Sequence, residues 1–402
     1  MNEKIKRVVD GARQEILASL KRIVEIESYT DHVDGVNAVG RVLAEAYRAL
    51  GFTIEEHERS LTTGEAWTLR FYLPGHERLT FGRHVVARRE GAGGPKVLLI
   101  CHMDTTFPTG TLARVPFRIE GDLAFGPGVA DMKAGVVEIL YAIKALDSVG
   151  FRDYGRLTVL NIADEEAGSI SSRGLIEAEA RAADWAFCTE PATADGRMKI
   201  RRKGIGIVEI EVRGKPAHVG TGYAEGASAV EAMARKVVAL QRLTDLARGI
   251  IVNVGELQGG TRRSVVAEHA LARVDVRVNT EAEWAEIRKA IEAIVQRPDV
   301  LGTSASLYAT MSRPPMVPSE RTLRLVQAME GIGRELGIPV RAGETSAASD
   351  GSFAAAVGTP TVDGMGPTGR KLLTEEEHIV VPTLFERTAL LAATIAALSA
   401  LT

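Results

Sequence analysis

The sequence is poor in the features that mark several specialised classes of protein. Its 402 residues include only two cysteines, Cys101 and Cys188, which is too few for a disulfide-stabilised secreted scaffold. Both cysteines fall inside apolar runs that are typical of buried strands. We therefore expect two free, buried thiols in a protein of a reducing compartment.

The sequence also lacks a strong charge imbalance, a targeting segment and a membrane-length apolar run. Its formal net charge is −3 and no basic stretch stands out, which argues against nucleic acid or an anionic membrane as a partner. The N-terminus has no apolar core of a secretory signal. The uncharged C-terminal run, residues 388–402, is shorter than the ~20 residues that span a bilayer, so we expect a buried helix there. These absences predict a cytoplasmic protein.

The composition that remains is that of a soluble globular protein, with 45% hydrophobic and 25% charged residues. A chain of this length is too long for one ordinary hydrophobic core. The pattern of elements predicts a first domain of residues 1–203 and 312–402. A second domain, residues 204–311, is inserted into it.

Three apolar runs of the first domain end in residues that bind metals. These runs are Leu98–Cys101 before His102 and Asp104, Leu157–Ala163 before Asp164–Glu166, and Trp185–Cys188 before Glu190. A turn-rich loop between the first two carries Asp131. Carboxyl ends of parallel strands meet at one edge of a sheet, and so many acids together would repel one another without a cation. The sequence therefore predicts a metal site at this edge.

Strands and helices alternate through the first domain, which predicts an α/β fold with a doubly wound mixed sheet. We expect helices over residues 3–27 and 36–50. Residues 67–73 and 79–81 predict a hairpin or a pair of edge strands, separated by Pro74-Gly75. The last helix is expected from Leu384.

The inserted domain has the order β-α-β-β-α-β, which predicts a ferredoxin-like α+β unit. Its strands are expected at 205–213, 250–257, 270–278 and 304–311, and its helices at 225–245 and 282–296. Clean alternation of apolar and polar residues in these strands leaves one face of the sheet wet or covered by a partner.

Five motifs in this order resemble the glutamate carboxypeptidase and aminoacylase superfamily of metallohydrolases, which includes acetylornithine deacetylases and succinyl-diaminopimelate desuccinylases. The motifs are His102-Met-Asp104, Gly126-Pro-Gly-Val-Ala-Asp131-Met-Lys, Asp164-Glu165-Glu166, Thr189-Glu190-Pro191 and Gly214-Lys-Pro-Ala-His218. The resemblance extends over nearly the whole chain after residue ~95 and is closest to the bacterial glutamate carboxypeptidases.

The resemblance implies a metal centre for one or two divalent ions per subunit. His102, Asp131 and Glu190 would hold the first ion, and Asp131 would bridge to a second ion that Glu166 also binds. Carboxylates with one or two imidazoles suit Zn, Mn or Co. The resemblance also implies a cis peptide bond after Asp131.

Other roles carried over by the resemblance concern catalysis. Glu165 would be the general base that takes a proton from the attacking water, and Asp104 would fix the tautomer of His102. His218 would reach the partner subunit's site and stabilise the oxyanion; the alternative is an ordinary surface histidine. Arg313 would grip a substrate carboxylate, unless it is a solvated linker residue. Lys133 is expected to be a surface or supporting charge rather than a catalyst.

The sequence departs from the family at three places. Where the family has its last ligand, a histidine four or five residues before a glutamate, this chain has Leu372 or Leu373 ahead of Glu377. Either His378 substitutes for the missing ligand or the second ion has lost one. The family's substrate-contacting Asn is replaced within Thr261–Val266. The family's Gly-Gly-Thr/Ser-Asp turn, which lines the substrate carboxylate, appears here as Ala347-Ala348-Ser349-Asp350-Gly351.

These observations predict a metal-dependent hydrolase that cleaves a C–N bond, by default an amide, in a small carboxylate-bearing substrate. One alternative is an aminohydrolase that releases ammonia from an electron-poor aromatic amino acid of the nitroanthranilate type. Another is a non-catalytic binding protein on a decayed hydrolase scaffold. The inserted domain is expected to act as a lid and to form a homodimer or larger homo-oligomer through its exposed sheet edge.

Overall fold

The computed structural model describes residues 1–73 and 80–401. The chain divides into two compact units. The first comprises Met1–Arg201, Pro318–Thr345 and Ser349–Thr402, and the second comprises Arg202–Val317 with Ser346–Ala348. The predicted boundaries lie close to these, but the short segment of residues 346–348 was not expected in the second unit.

The strands of both units are, in chain order, β1 (Thr53–His57), β2 (His84–Glu90), β3 (Lys96–His102), β4 (Arg118–Glu120), β5 (Leu123–Phe125), β6 (Arg156–Ile162), β7 (Trp185–Cys188), β8 (Met198–Arg202), β9 (Gly204–Arg213), β10 (Ile251–Gly259), β11 (His269–Val278), β12 (Ser304–Arg313), β13 (Ala342–Thr345), β14 (Thr361–Val362), β15 (Gly369–Arg370) and β16 (His378–Val380).

The α-helices are α1 (Asn2–Gly11), α2 (Arg13–Val24), α3 (Val33–Ala49), α4 (Thr63–Leu69), α5 (Thr111–Arg114), α6 (Ala134–Ser148), α7 (Arg173–Arg181), α8 (Ala229–Gln241), α9 (Glu281–Gln296), α10 (Glu320–Leu336), α11 (Gly351–Ala356) and α12 (Val381–Ala397).

The first unit is built on a six-stranded mixed sheet of order β1-β2-β6-β3-β7-β14. The central strand β3 is parallel to β6 and β7, whereas β2 runs antiparallel to β6 and to β1. Successive side chains of β3 pack into two separate hydrophobic cores. Leu99 and Cys101 lie in the core on one face of the sheet, and Leu98 and Ile100 lie in the core on the other. Both faces are covered, which explains why this strand is continuously apolar.

Two predictions for the N-terminal third are wrong. The single helix expected over residues 3–27 is two helices that meet at Ala12, directly after Gly11, a weak helix former. Residues 67–73, which were expected to form a strand, instead form the end of helix α4 and the turn after it. Thr62 and Glu65 form a reciprocal capping box that starts this helix and outweighs the strand preference of the aromatic residues. The true pair of antiparallel strands is β1 and β2, while Leu79 lies outside the described residues.

The last helix matches its prediction. Val381–Ala400 is long and apolar enough to cross a membrane, but 72% of its most apolar window is buried inside the protein. It packs mainly against α6, α1 and α10. It is therefore accounted for as a core helix of the first unit.

The second unit is a four-stranded antiparallel sheet of order β10-β11-β9-β12 whose core is formed with α8 and α9. The element order is the β-α-β-β-α-β expected of a ferredoxin-like unit. Gly206 permits a close approach here, since a Cβ at this position would lie 2.1 Å from Trp284 of α9. The opposite face carries ion pairs, such as Arg273 with Glu209 and Glu256 at 2.9 and 2.8 Å.

Candidate metal centre

Three side chains meet at the carboxyl edge of the first unit's sheet. His102 is the last residue of β3, Glu190 follows β7 by two residues, and Asp131 lies in the turn Val129–Lys133 that precedes α6. His102 Nε2 is 3.2 Å from Asp131 Oδ1 and 3.6 Å from Glu190 Oε1. The three candidate ligand atoms all lie within 4.8 Å of one another. The peptide bond between Asp131 and Met132 is cis.

The electrostatics of this group call for a cation. Burial and the charge of Asp131 raise the pKa of Glu190 well above its usual value, and the same causes with the charge of Glu165 raise the pKa of Glu166. Burial alone would lower the pKa of His102, but its bonds to Asp104 and Asp131 outweigh burial and raise it. Glu166 Oε1 is buried and has no hydrogen-bond partner among residues 1–73 and 80–401. A divalent cation would neutralise these crowded carboxylates, so the residues present fit a metal.

Comparison with known proteins gives the same family as the motifs. The model of the peptidase family M20/M25/M40 matches residues 98–397. Carboxypeptidase G2 from Pseudomonas sp. (strain RS-16) is 32% identical over 356 residues, which cover 88% of this chain and 82% of that protein. The chain belongs to the peptidase family M20/M25/M40.

Other proteins similar to this chain are more distant. A succinyl-diaminopimelate desuccinylase from Alkalilimnicola ehrlichii is 26% identical and covers 75% of this chain and 84% of that protein. The structure of aminopeptidase PepT from Bacillus cereus, 20% identical, superposes with a TM-score of 0.75 over 96% of this chain and 98% of that one, which shows a common fold. This M20 chain is a metal-dependent hydrolase of amide C–N bonds. The comparisons support neither the aminohydrolase nor the non-catalytic alternative.

Asp104 has a different set of contacts from the one the resemblance implied. The nearer partner of His102 Nδ1 is the backbone carbonyl of Asp104, at 2.9 Å, whereas its carboxylate is 3.5 Å away. That fully buried carboxylate accepts the N–H groups of Glu165 and Glu166, both at 3.1 Å, and the hydroxyl of Thr30 at 2.8 Å. The backbone carbonyl is thus the closer of two Asp104 groups that face the imidazole, and the carboxylate also holds the turn that carries Glu165.

Glu377 supports the metal centre in a way that the sequence did not reveal. Its Oε1 accepts the N–H groups of Ala130 and Asp131 at 2.9 and 3.1 Å, and its Oε2 accepts the N–H of Leu373 at 3.0 Å. Burial and the charge of Asp131 raise the pKa of Glu377 to about 8. Backbone donors leave no trace in a sequence, so only its spacing from the expected histidine could have drawn attention to this residue.

The structure separates the three candidates for the last ligand. Leu372 packs on the apolar core. Three carbon atoms surround the point where a Cβ on Gly369 would lie: Cβ of Ala130 at 2.9 Å, Cβ of Pro191 at 3.1 Å and Cδ2 of Leu372 at 3.2 Å. Ala130 and Pro191 adjoin the ligands Asp131 and Glu190, so an apolar side chain stands next to the metal centre. Leu373 is 52% exposed.

His378 has other partners. One ring nitrogen, Nδ1, is 2.8 Å from the carbonyl of Glu376, and the ring packs on Phe125 with centroids 4.9 Å apart. It is not a member of the three-residue group found in the described parts of the chain. Its role as a ligand stays a prediction.

The remaining predicted residues of the first unit are buried. Lys133 is 1% exposed rather than at the surface; its Nζ donates to the carbonyl of Ile26 at 2.7 Å, and burial lowers its pKa to about 7. Ser349 donates to Asp363, and Asp350 accepts from the hydroxyl of Ser169.

Two predicted residues lie in the second unit. His218 is exposed, and its Nδ1 accepts the N–H of Gly220 at 3.1 Å, so in the neutral ring Nε2 carries the proton and is a donor. Arg313 is 3% exposed at the end of β12, where it is paired in register with Ile205 of β9. A solvated linker arginine would be exposed, so that alternative is wrong.

Proposed function

We propose that this protein hydrolyses the amide bond of a small substrate with a free carboxylate, such as a C-terminal residue or an N-acyl amino acid. The observation that carries the proposal is the buried group of His102, Asp131 and Glu190 beside a turn that presents Glu165. Two relatives, a carboxypeptidase and a desuccinylase, are named for reactions of this kind.

The metal is proposed to be one tightly held Zn, Mn or Co ion per chain, bound by His102, Asp131 and Glu190. A single imidazole among carboxylates suits these ions. Such an ion polarises a carbonyl and lowers the pKa of a bound water to about 7. Among residues 1–73 and 80–401, Glu166 is a further carboxylate that could hold a weaker second ion, whereas Leu372 offers no ligand atom.

The chain's own groups supply the rest of the reaction. The Glu165 carboxylate takes a proton from the attacking water and later delivers it to the leaving nitrogen. His218 Nε2–H donates to the oxygen on which negative charge develops. Arg313 pairs with the substrate carboxylate through its planar guanidinium.

We propose that a homodimer completes the site. Arg313 lies beside Ile205 at one end of β9, and His218 lies beyond Arg213 at the other end. Eight residues of strand span about 26 Å, which is too far for one small substrate to touch both residues of one chain. His218 would then act in the partner's site. The edge strand β10, whose Leu257 is 56% exposed, and α8, whose Val238 is 56% exposed, offer a surface for two-fold pairing.

We also propose a cytoplasmic location, which two buried free cysteines support. The function is tested by incubating metal-loaded protein with a panel of N-acyl amino acids and dipeptides, and by measuring released amino acid and ammonia separately. We expect the protein to release the amino acid. A chelator should abolish this release, and Glu165→Gln should lower it at least a hundredfold. Ammonia as the main product, or turnover that survives chelation, would refute the proposal.

A further inference from the structure

The second unit contains an open cavity of about 520 Å³ that has no part in the function proposed so far. Its walls come from the loop after β9 and the loop that joins β10 to β11. The lining includes Val219, Tyr223, Val230, Glu231, Arg262 and Arg263. This volume is in the usual range for small-molecule sites.

The cavity wall is tied directly to His218. His218 forms an antiparallel bridge with Val265, the N–H of Val219 donates to the carbonyl of Ser264 at 3.1 Å, and the N–H of Val266 donates to the carbonyl of Ala217 at 2.9 Å. Bridged residues of antiparallel chains have Cα atoms about 5 Å apart. His218 therefore adjoins the cavity wall, as the chain neighbour of Val219 and the bridge partner of Val265.

The charge of the cavity is unbalanced. Arg262 and Arg263 are exposed, and neither side chain has a hydrogen bond or ion pair with any residue of 1–73 or 80–401. Glu231, the acid in the lining, is already bonded by Arg235 at 2.5 Å. Several other surface arginines of the unit do have acidic partners, as Arg248 does with Glu286 at 2.8 Å. Two positive charges thus remain available.

The cavity also has an apolar wall. Val219 and Val230 are each 41% exposed, and Tyr223 is 66% exposed. Exposed apolar side chains grouped beside unpaired guanidinium groups match a ligand with a short apolar segment that ends in an anion. The N-terminus of the 13-residue helix α8, capped by Ser228 in the same lining, adds a favourable field for negative charge.

We propose that Arg262 and Arg263 bind an anionic group of the substrate other than the carboxylate assigned to Arg313, so that the preferred substrate is a dianionic amide. This inference rests on the proposed function for the placement of His218 at the reacting carbonyl. It makes the two arginines specificity-determining residues and not catalytic ones.

Isosteric pairs of substrates isolate the second charge. One pair is N-acyl-glutamate against N-acyl-glutamine, and the other is an N-succinyl against an N-succinamoyl amino acid. Wild-type protein is expected to prefer the carboxylate member of at least one pair tenfold or more in kcat/KM. The double variant Arg262→Gln/Arg263→Gln is expected to lose that preference through KM, and its kcat/KM should also lose its dependence on salt concentration. The matched control Arg288→Gln, whose arginine pairs with Glu292 on α9, should keep both.

A binding measurement separates this inference from the proposed function. In a Glu165→Gln background, calorimetry with the same four compounds reports affinity without turnover. A tenfold preference that disappears with the two arginines supports the inference even if no compound is hydrolysed. An absent preference, or one that persists without the arginines, overturns it. The double variant could also convert a dimer to a monomer and keep the preference. That result would assign the cavity to an interface between copies of the chain and would overturn the inference.

Discussion

Replacing Asp104 by asparagine tests the division of labour at the metal centre. The buried carboxylate accepts three hydrogen bonds, one on Oδ1 from Glu165 and two on Oδ2 from Glu166 and Thr30. His102 Nδ1 donates at 2.9 Å to the backbone carbonyl of Asp104, which the substitution leaves in place. We therefore expect the change to perturb the Glu165–Glu166 turn more than the histidine, whose contact with the carboxylate is the longer one at 3.5 Å.

The magnitude follows from counting these bonds. An asparagine keeps one acceptor oxygen, so its NH₂ group must face an N–H donor of Glu165 or Glu166 at about 3 Å. A hydrogen bond to a charged group contributes about 1.5–3 kcal/mol, and a buried donor left unpaired adds to the loss. We expect the free energy of unfolding to fall by about 2–4 kcal/mol. A displacement of Glu165 near 1 Å is expected to lower kcat about a hundredfold.

Metal affinity decides between the two possible roles of Asp104. If the backbone carbonyl orients His102, the dissociation constant of the metal, measured by competition with a chelator, should rise less than tenfold. If the carboxylate did so, loss of this supporting contact would weaken binding about 10–100-fold. Asp147→Asn is the matched control, since its carboxylate accepts two 2.8 Å bonds from Arg89 at the far end of α6. The control should lose stability and keep kcat. A hundredfold weaker metal site with unchanged kcat at saturating metal would refute the reasoning.

Three further predictions concern the metal and the thiols. Leu372→His should raise the metal content measured by mass spectrometry from one to two ions per chain, because it puts an imidazole where an apolar side chain now adjoins Asp131 and Glu190; unchanged stoichiometry would count against that placement. Removal of the metal should lower Tm. Addition of Zn, Mn or Co at a hundred times its Kd should raise the free energy of unfolding by about 2.7 kcal/mol. A Tm that does not change with metal would show that the carboxylates need no cation. Burial raises the pKa of Cys101 to about 12, and Cys101 and Cys188 are each 1% exposed, so a thiol reagent at pH 8 should label neither cysteine in native protein and both in denaturant.

The sheet and the first ligands could be predicted because their causes are local and periodic. The continuous apolar run of β3 is required by cores on both faces, and the parallel pairing of β3 with β6 and β7 brings their carboxyl ends to one edge. A histidine or acid that directly follows such a strand therefore lies at that edge of the sheet. Spacing alone therefore indicated where His102 and Glu190 would lie.

Helix α4 could not be predicted from side-chain preferences because two signals in the sequence conflict. Trp67 and Phe71 favour a strand, but the reciprocal bonds of Thr62 and Glu65 satisfy backbone donors that a strand would not leave free. The capping box was present in the sequence and was the stronger signal. Giving cap signatures the same weight as aromatic content would have corrected the prediction.

Spacing could not settle the missing ligand because the backbone of the loop decides it. Lys371 and Leu373 adopt positive φ values of 54° and 62°, which few residues other than glycine do, so the loop turns sharply on either side of Leu372. This turn sends Leu372 toward the core and leaves Leu373 exposed, although the sequence makes the two leucines equivalent. Glu377 then holds the loop and the Asp131 turn together through three backbone N–H groups. The loop thus retains the scaffold that supports Asp131 while its inward residue has no ligand atom, which supports the proposal of a single tightly held ion.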